Sequence, residues 1–168
     1  MTQRCTIIVH KALAVVRPQF KLDASGGIHG VPHWSRVWFH GRSLAAALDV
    51  DPAVLAWFAF LHDSRRFNDW EDPEHGLRAA DFAVRLRRDG ILTELNKPAF
   101  ERLCEAMRLH SDGHVRGDLT VQACWDADRL DLARAGITPH PKRLCTDPAR
   151  APHTIEAAVR MAKGRKRA

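Results

Sequence analysis

The sequence predicts an all-α protein, a compact single-domain bundle of about six or seven helices. From Pro32 onward, apolar residues recur at the three- and four-residue spacing of helices that bury one face. Proline and a capping residue stand together at the start of several of these segments, as in Asp51-Pro52. No segment alternates apolar and polar residues convincingly, so a sheet is not expected.

Size and composition fit a globular domain without a membrane segment. The chain has 168 residues, of which 45% are hydrophobic and 27% charged, which is enough for a substantial core. No apolar stretch approaches the roughly 20 residues that span a bilayer. The four cysteines form no CxxC pair and follow no signal peptide, which favours reduced thiols and a cytoplasmic location.

The charge of the chain indicates anionic partners. A net charge of +6 and a pI near 9.6 favour nucleotides, phosphate esters or nucleic acid. Part of this excess lies in residues 163–168, which are predicted to form a solvated basic tail. The helical domain is expected over residues 29–162, preceded by a segment, 1–28, that packs on it or is partly irregular. The oligomeric state stays open.

The N-terminal segment is the hardest to assign. Residues 6–9 fit a short strand or the start of a helix, and residues 23–27 have the composition of a loop. The first helix with a clear start begins near Pro32, which suits a first helical position, and continues to about Leu48.

The next helix is predicted to lie in the middle of the core. It begins at Asp51-Pro52 and is apolar on almost every side over residues 54–61. A helix without a polar face is normally buried all round. It ends at His62-Asp63, where the negative end of the helix dipole would favour a bound cation.

Four later helices complete the predicted bundle. Asp72-Pro73 and Asn96-Lys97-Pro98 are typical helix starts, and glycines follow three of the expected helix ends. The predicted ranges are 72–88, 96–110, 119–135 and 147–161.

Several histidines are predicted to face this core. His33, His75 and His110 each share a helix face with apolar residues at helical spacing, and His62 ends the buried helix. A lone buried histidine is more often a satisfied core residue than a ligand. A group of them without nearby carboxylates in the sequence favours metal ligation. His40, two turns from His33, is expected to have a structural role.

One predicted helix carries three acids close together. Asp128 lies seven residues after Val121 and four before Leu132, on the apolar stripe of that helix. An unpaired carboxylate there would cost several kcal/mol unless a cation met it. Asp128 is therefore predicted as a metal ligand, whereas Asp126 or Asp131 is expected on the surface or beside a ligand.

These residues resemble a known family signature. The order His33, His62-Asp63 and Asp128 is similar to the H...HD...D signature of the HD-domain metal-dependent phosphohydrolase superfamily. Ala127-Asp128-Arg129-Leu130-Asp131 resembles the late ADRL segment of that superfamily, in which the Asp is the last metal ligand. The resemblance covers about residues 29–135 and implies an HD-domain-like helical fold.

The resemblance extends to a second metal. His75 and His110 fall where binuclear members, such as the HD-GYP group, keep extra histidines. The glycine-tyrosine-proline motif of that group is absent, since the chain contains no tyrosine. This argues against a cyclic dinucleotide as the substrate.

The resemblance also implies a reaction, hydrolysis of a nucleotide or another small phosphate ester through a metal-activated water. One or two divalent ions (Mn, Mg, Fe, Co or Ni) are expected, with Asp63 bridging them. The implied ligands are His33, His62, Asp63 and Asp128 for one ion, and His75 and His110 with Asp63 for the other.

Further residues are candidates for contact with the substrate. Arg36, Arg65 and Arg66 could neutralise charge on the phosphoryl group. His114 could contact the substrate or donate a proton. The mouth of the pocket is expected to be lined by three residues of the loop after the His-Asp pair, which are Asn68, Asp69 and Asp72.

Two other functions stay open. Some HD-type proteins with six such ligands are diiron oxygenases, and ligands alone do not separate oxygenation from hydrolysis. The third interpretation is a non-catalytic binding or regulatory module with a structural metal, for which nucleic acid is the candidate ligand. It is not favoured, because the aromatic residues are predicted in core positions where they could not stack on bases.

Overall fold

The computed structural model describes residues 3–164, and over that range the chain is all-helical, as predicted. The α-helices are α1 (Gln3–Val16), α2 (Val31–Leu48), α3 (Pro52–Leu61), α4 (His75–Arg88), α5 (Lys97–Leu109), α6 (Leu119–Leu130), α7 (Asp147–Arg150) and α8 (Pro152–Ala162). The described part thus has eight helices, one more than the upper predicted number, because Pro152 begins a separate helix where one continuous helix was predicted. Residues 165–168 of the predicted basic tail lie outside the described range.

Helix α3 lies in the centre of the fold, as its apolar sequence predicts. Every residue from Ala53 to Leu61 is buried, and α1, α2, α5 and α6 all pack against the helix. Its start is fixed by Asp51, whose carboxylate accepts a hydrogen bond from the Ala53 amide, and by Pro52 in the first turn. The helix therefore presents the His-Asp pair from a rigid position.

Helix α1 resolves the ambiguity of the N-terminal segment. Residues 6–9 belong to this helix and not to a strand. Cys5, Ile8, Ala12 and Val16 recur every three or four residues and are buried, mainly against α3. All four cysteines are buried, and none forms a disulfide within residues 3–164. No helix in residues 3–164 is long and apolar enough to cross a membrane.

Two glycines allow helices to approach closely. A Cβ atom at Gly41 on α2 would lie 3.3 Å from the Leu55 Cβ of α3, so a larger residue would push these helices apart. A Cβ atom at Gly76 on α4 would overlap the Met107 carbonyl oxygen of α5. The first contact brings α2 onto α3, and the second brings the start of α4 onto the end of α5.

Two predicted helix boundaries differ from the structure. Helix α4 begins at His75 and not at Asp72, because the Asp72 carboxylate accepts hydrogen bonds from the Phe67 amide and from Arg78 instead of capping the helix. Helix α6 ends at Leu130, and a short 3₁₀ helix, Leu132–Ala135, follows it.

Two loop residues correct the prediction that the aromatic residues lie in the core. Phe67 is 52% exposed and Trp70 is 85% exposed. The Phe67 ring is flanked by Lys21, at 4.4 Å from the ring centre, and by the Arg78 guanidinium, at 4.0 Å. Both residues belong to the loop between α3 and α4, where helical periodicity gives no information about burial.

Candidate metal centre

The six predicted ligands come together in the structure, carried by five helices. Residues from the first turn of α2, the end of α3, the start of α4, the end of α5 and the last turns of α6 meet at one point. All are buried except Asp128, whose side chain is 13% exposed. The six are His33, His62, Asp63, His75, His110 and Asp128.

Four of these residues form a first group. The Nε2 atoms of His33 and His62 are 3.1 Å apart, and both lie 3.3–3.6 Å from Asp63 Oδ2 and Asp128 Oδ1. Atoms that each lie about 2.1 Å from one tetrahedral ion are separated by about 3.4 Å. The spacing of the first group is therefore the spacing of ligands around a common cation.

A second group shares Asp63 with the first. The Nε2 atoms of His75 and His110 are 2.8 Å apart and lie 3.3 and 3.6 Å from Asp63 Oδ1. Asp63 thus directs one carboxylate oxygen toward each group. Arg66 also reaches this place, with its Nη1 3.1 Å from His75 Nε2 and 3.5 Å from Asp63 Oδ1. A cation in the second group would share the space with this guanidinium.

Hydrogen bonds fix the tautomer of each imidazole. Every Nδ1 atom faces an oxygen that can only accept, so the ring proton lies on Nδ1 and the Nε2 lone pair points to the centre. Hydrogen-bonded imidazoles of this kind are typical of metal ligands. The acceptors are Asp131 Oδ2 for His33 (2.8 Å), the Phe58 carbonyl for His62 (3.1 Å), the Asp72 carbonyl for His75 and the Met107 carbonyl for His110 (2.7 Å).

When both imidazoles carry a proton only on Nδ1, the first group contains acceptors without donors. The Nε2 atoms of His33 and His62 then have no proton between them, although they are 3.1 Å apart. Among the described residues, Asp128 Oδ1 in the first group and Asp63 Oδ1 in the second are buried and accept no hydrogen bond. Buried polar atoms without a partner are costly. A cation would satisfy them, and imidazole with carboxylate suits divalent transition ions.

The pKa shifts of His62 and Asp63 also favour a positive charge at the centre. Burial lowers the pKa of His62, but the carboxylates of Asp63 and Asp128 outweigh burial and raise that pKa to about 10. Burial by itself would raise the pKa of Asp63, whereas the neighbouring His62 holds it well below its usual value. The centre thus favours a positive charge, which a proton on His62 or a bound cation can supply.

Asp131 lies directly behind the first group. Its carboxylate accepts from His33 Nδ1 and from Arg36, whose Nε is 2.6 Å and Nη2 3.1 Å from its oxygens. Asp131 therefore has the position beside a ligand that the sequence left open for it. Arg36, predicted to neutralise the phosphoryl group, is instead paired with Asp131 and does not face the cavity, which corrects that prediction.

Asp126 is neither on the surface nor beside a ligand, which corrects the prediction for it. It is fully buried and accepts hydrogen bonds from the Cys145 amide (2.7 Å) and from the amide and hydroxyl of Thr146 (2.8 and 2.7 Å). Burial raises the pKa of Asp126, while these hydrogen bonds act against the shift. Asp126 lies off the apolar stripe of α6, on the side that contacts residues 145 and 146.

The remaining predicted catalytic residues occupy different positions. Arg66 lines the cavity above the centre. Arg65 points away from the cavity, bonded to Gln19 Oε1 and stacked over the Phe82 ring. His114 is exposed and does not line the cavity, which corrects its assignment to substrate contact.

Beyond Arg66, residues 67–74 of the loop after the His-Asp pair support the cavity without lining it. Asp69 bonds to His29 Nδ1 at 2.8 Å, and the Asn68 carbonyl accepts from Arg66. His29 and Arg66 line the cavity. Asn68 and Asp69, which were predicted to line the mouth, thus contact residues that line the cavity. Asp72 pairs with Arg78 and also does not line it. His40 is buried outside the cavity, in agreement with a structural role, and burial lowers its pKa to about 4.

The centre lies in the wall of a cavity of about 520 Å³. Sequence inspection did not identify the arginines that line the rest of it. They lie in the last turn of α6 and in two short 3₁₀ helices beyond it. Residues 132–146 contain no acid, a signal that could have identified a basic wall. These residues are Arg129, Arg134 and Arg143, accompanied by His140.

Comparisons with known proteins support the fold. No protein-family model and no curated protein matches the chain. Among solved structures, the crystal structure of a predicted HD superfamily hydrolase from an uncultured Thermotogales bacterium superposes with a TM-score of 0.66, at 22% identity, over 91% of this chain and 83% of the other. The chain therefore has the fold of that HD superfamily protein. The His and Asp residues that cluster in the structure, together with this fold, confirm the resemblance found in the sequence.

Proposed function

We propose that this protein is a metal-dependent hydrolase of phosphate esters. The observation that carries the proposal is the first group of ligands, in which two imidazole Nε2 atoms lie 3.1 Å apart and 3.3–3.6 Å from two carboxylates, and in which the buried Asp128 Oδ1 accepts no hydrogen bond. His33, His62, Asp63 and Asp128 would hold a divalent ion there. When bound, such an ion lowers the pKa of a water molecule and polarises a phosphoryl oxygen.

The protein's own residues would orient the substrate. Arg134 lines the cavity, and hydrogen bonds from its Nε to the Ile28 carbonyl (2.9 Å) and from its Nη1 to the Asp131 carbonyl (3.2 Å) hold it in place. Its Nη2 is 3.9 Å from Asp128 Oδ1. Arg134 and Arg66 are therefore the guanidinium groups nearest to the candidate centre, and they take the roles that the sequence predicted for Arg36 and Arg65.

The arginines of the cavity wall help to distinguish a hydrolase from an oxygenase. A diiron oxygenase could use the six ligands, with His75 and His110 in the second group. The cavity wall, however, is rich in arginine, which favours an anionic substrate, and Arg66 already occupies space beside the second group. Hydrolysis of a phosphate ester with one ion, or with two after Arg66 moves, fits these features better.

The proposal is tested by metal analysis and phosphate release. The purified chain, reconstituted with Mn²⁺, is expected to hold at least one ion and to release phosphate from some members of a panel of nucleotides and small esters. A variant with both His62→Ala and Asp63→Ala should lose the first ion and reduce turnover by more than about 100-fold. His153→Ala, which removes an exposed histidine on α8, serves as the control.

Two outcomes would contradict the proposal. A wild-type protein that binds no ion after reconstitution would exclude a metal centre. Equal phosphate release by the wild type and the double variant would show that the centre does not carry the reaction. Iron-dependent oxygen consumption without phosphate release would favour the oxygenase instead.

A further inference from the structure

Arg129 presents an unusual buried charge. It is 7% exposed and lies in the cavity wall, directly after Asp128. Its Nη1 donates to the Arg143 carbonyl at 3.0 Å and approaches Cys145 Sγ at 3.4 Å. Its Nη2 is buried and donates to none of the described residues. A buried guanidinium with an unused donor is costly unless an anion meets it.

The nearby acid does not supply that anion. Asp126 uses its carboxylate to accept three hydrogen bonds from Cys145 and Thr146, and within residues 3–164 it forms no ion pair with Arg129. The chain that follows α6 adds no acid over residues 132–146. Within residues 3–164, Arg129 therefore forms no ion pair, and its guanidinium lies over the Trp125 ring, with Cζ 5.7 Å from the ring centre.

Arg143 extends the same positive wall. Its backbone carbonyl is held by Arg129, and its own guanidinium is exposed, lines the cavity and forms no hydrogen bond or ion pair with a described residue. Its Nη1 would lie 3.9 Å from a Cβ atom at Gly113, so it sits beside the loop between α5 and α6. The two guanidinium groups thus line the same cavity, and that of Arg129 donates a hydrogen bond to the backbone carbonyl of Arg143.

These groups are distinct from the arginines of the metal centre. Arg66 and Arg134 lie 3.5 and 3.9 Å from the carboxylates of Asp63 and Asp128, and they suffice for one phosphoryl group there. Arg129 and Arg143 have no such partner. With the centre occupied by a cation, the cavity would contain more positive charge than a single phosphate dianion compensates.

We infer that Arg129 and Arg143 form a second anion-binding position, and that the substrate is a small bisphosphate. This inference rests on the proposed function. One phosphate would lie at the metal centre and the other at Arg129 and Arg143, within a cavity large enough for a small metabolite. Water adds across one P–O ester bond, inorganic phosphate leaves with the oxygen of water, and the alcohol oxygen takes a proton. The second phosphate stays intact.

The kinetic test compares two substrates that differ in one phosphate. With the Mn²⁺-loaded chain, 1,3-propanediol bisphosphate should have a KM about tenfold below that of 1,3-propanediol monophosphate, because hydrogen bonds to charged groups contribute on that order. Arg143→Ser should remove this difference by raising the KM of the bisphosphate. Arg143 is exposed, so its replacement should not disturb folding. Arg116→Ser removes an exposed charge outside the cavity and is the matched control.

A binding measurement separates this inference from the proposed function. Inorganic pyrophosphate titrated into the chelator-treated chain by calorimetry should bind, and Arg143→Ser, but not Arg116→Ser, should raise its Kd about tenfold. This result stands even if no ester is hydrolysed. Equal Kd values for the two variants, or equal KM values for the two substrates, would overturn the inference. Stimulation of monophosphate hydrolysis by free phosphate would show that a separate anion binds there, which would overturn the substrate class.

Discussion

At the scale of single residues, Asp131 controls the chemistry of His33. The carboxylate can only accept, so it keeps the proton of His33 on Nδ1 and the lone pair of Nε2 on the candidate centre. Arg36 holds the carboxylate in place with two hydrogen bonds. Asp131, which is not itself a predicted ligand, thus keeps the Nε2 atom of His33 available to bind a cation.

The substitution Asp131→Asn tests this role. An asparagine amide can donate to Nδ1 of His33 and so move the ring proton to Nε2, where it blocks the ligand position. We expect metal affinity to fall by about 10- to 100-fold, measured by competition with a chelator. Asp126→Asn is the control, since it replaces another buried acid of α6 that bonds to the Cys145 and Thr146 loop. Equal affinity in both variants would contradict the role of Asp131.

At the scale of helices, the second group depends on the contact between α4 and α5. His75 is the first residue of α4 and His110 directly follows α5, so their separation follows the separation of the two helices. Gly76 permits this contact, since a side chain there would overlap the Met107 carbonyl and approach His110 Nδ1 to 3.3 Å. Backbone packing and ligand geometry are thus coupled at one position.

The substitution Gly76→Ala should impair the second group of ligands and leave the first group intact. The added methyl must push α4 away from α5, which would cost about 1–3 kcal/mol of unfolding free energy. It would also draw His75 away from His110, so that any second ion is lost while the first is retained. Metal analysis together with urea unfolding measures both effects. Gly90→Ala, at a positive φ with no atom within 4 Å, is the control for strain without a helix clash. Unchanged stability and metal content in Gly76→Ala would contradict the coupling.

At the scale of the whole molecule, the candidate centre joins five consecutive helices through ligands that span residues 33–128. Helices α2 to α6 each contribute or directly precede a ligand, so an ion bound to the folded state would stabilise the entire bundle. In its absence, the same point concentrates acceptor atoms and carboxylates that repel one another.

Metal should therefore raise the thermal stability of the protein. At a free Mn²⁺ concentration of about 100 times Kd, binding adds about 2.7 kcal/mol to the unfolding free energy. For a chain of this length that corresponds to a rise in Tm of roughly 5–10 °C. Calorimetry with Mn²⁺ and with chelator measures the shift, and the variant with His62→Ala and Asp63→Ala should show none. A Tm that does not depend on metal in the wild type would contradict a centre that links the helices.

Local periodicity predicted the helices and which of their side chains face the core, whereas the resemblance to the HD signature implied the full set of six ligands. His33, His75 and Asp128 were found by their place on apolar helix faces, which the fold preserves. Periodicity could not show what faces a residue from a distant segment. It therefore misplaced Asp126, which bonds to the loop after α6, and missed Arg134, which lies in a short 3₁₀ helix.

The exposed Trp70 has a consequence for observing this protein in solution. The chain contains five tryptophans, and the other four are at most 7% exposed. A collisional quencher such as acrylamide therefore reaches one indole in the folded state. The Trp70 carbonyl accepts a hydrogen bond from Arg66 Nη2 at 2.7 Å, and Arg66 lines the cavity. The fluorescence of the native protein thus carries an intrinsic reporter attached to the cavity wall, without any added label.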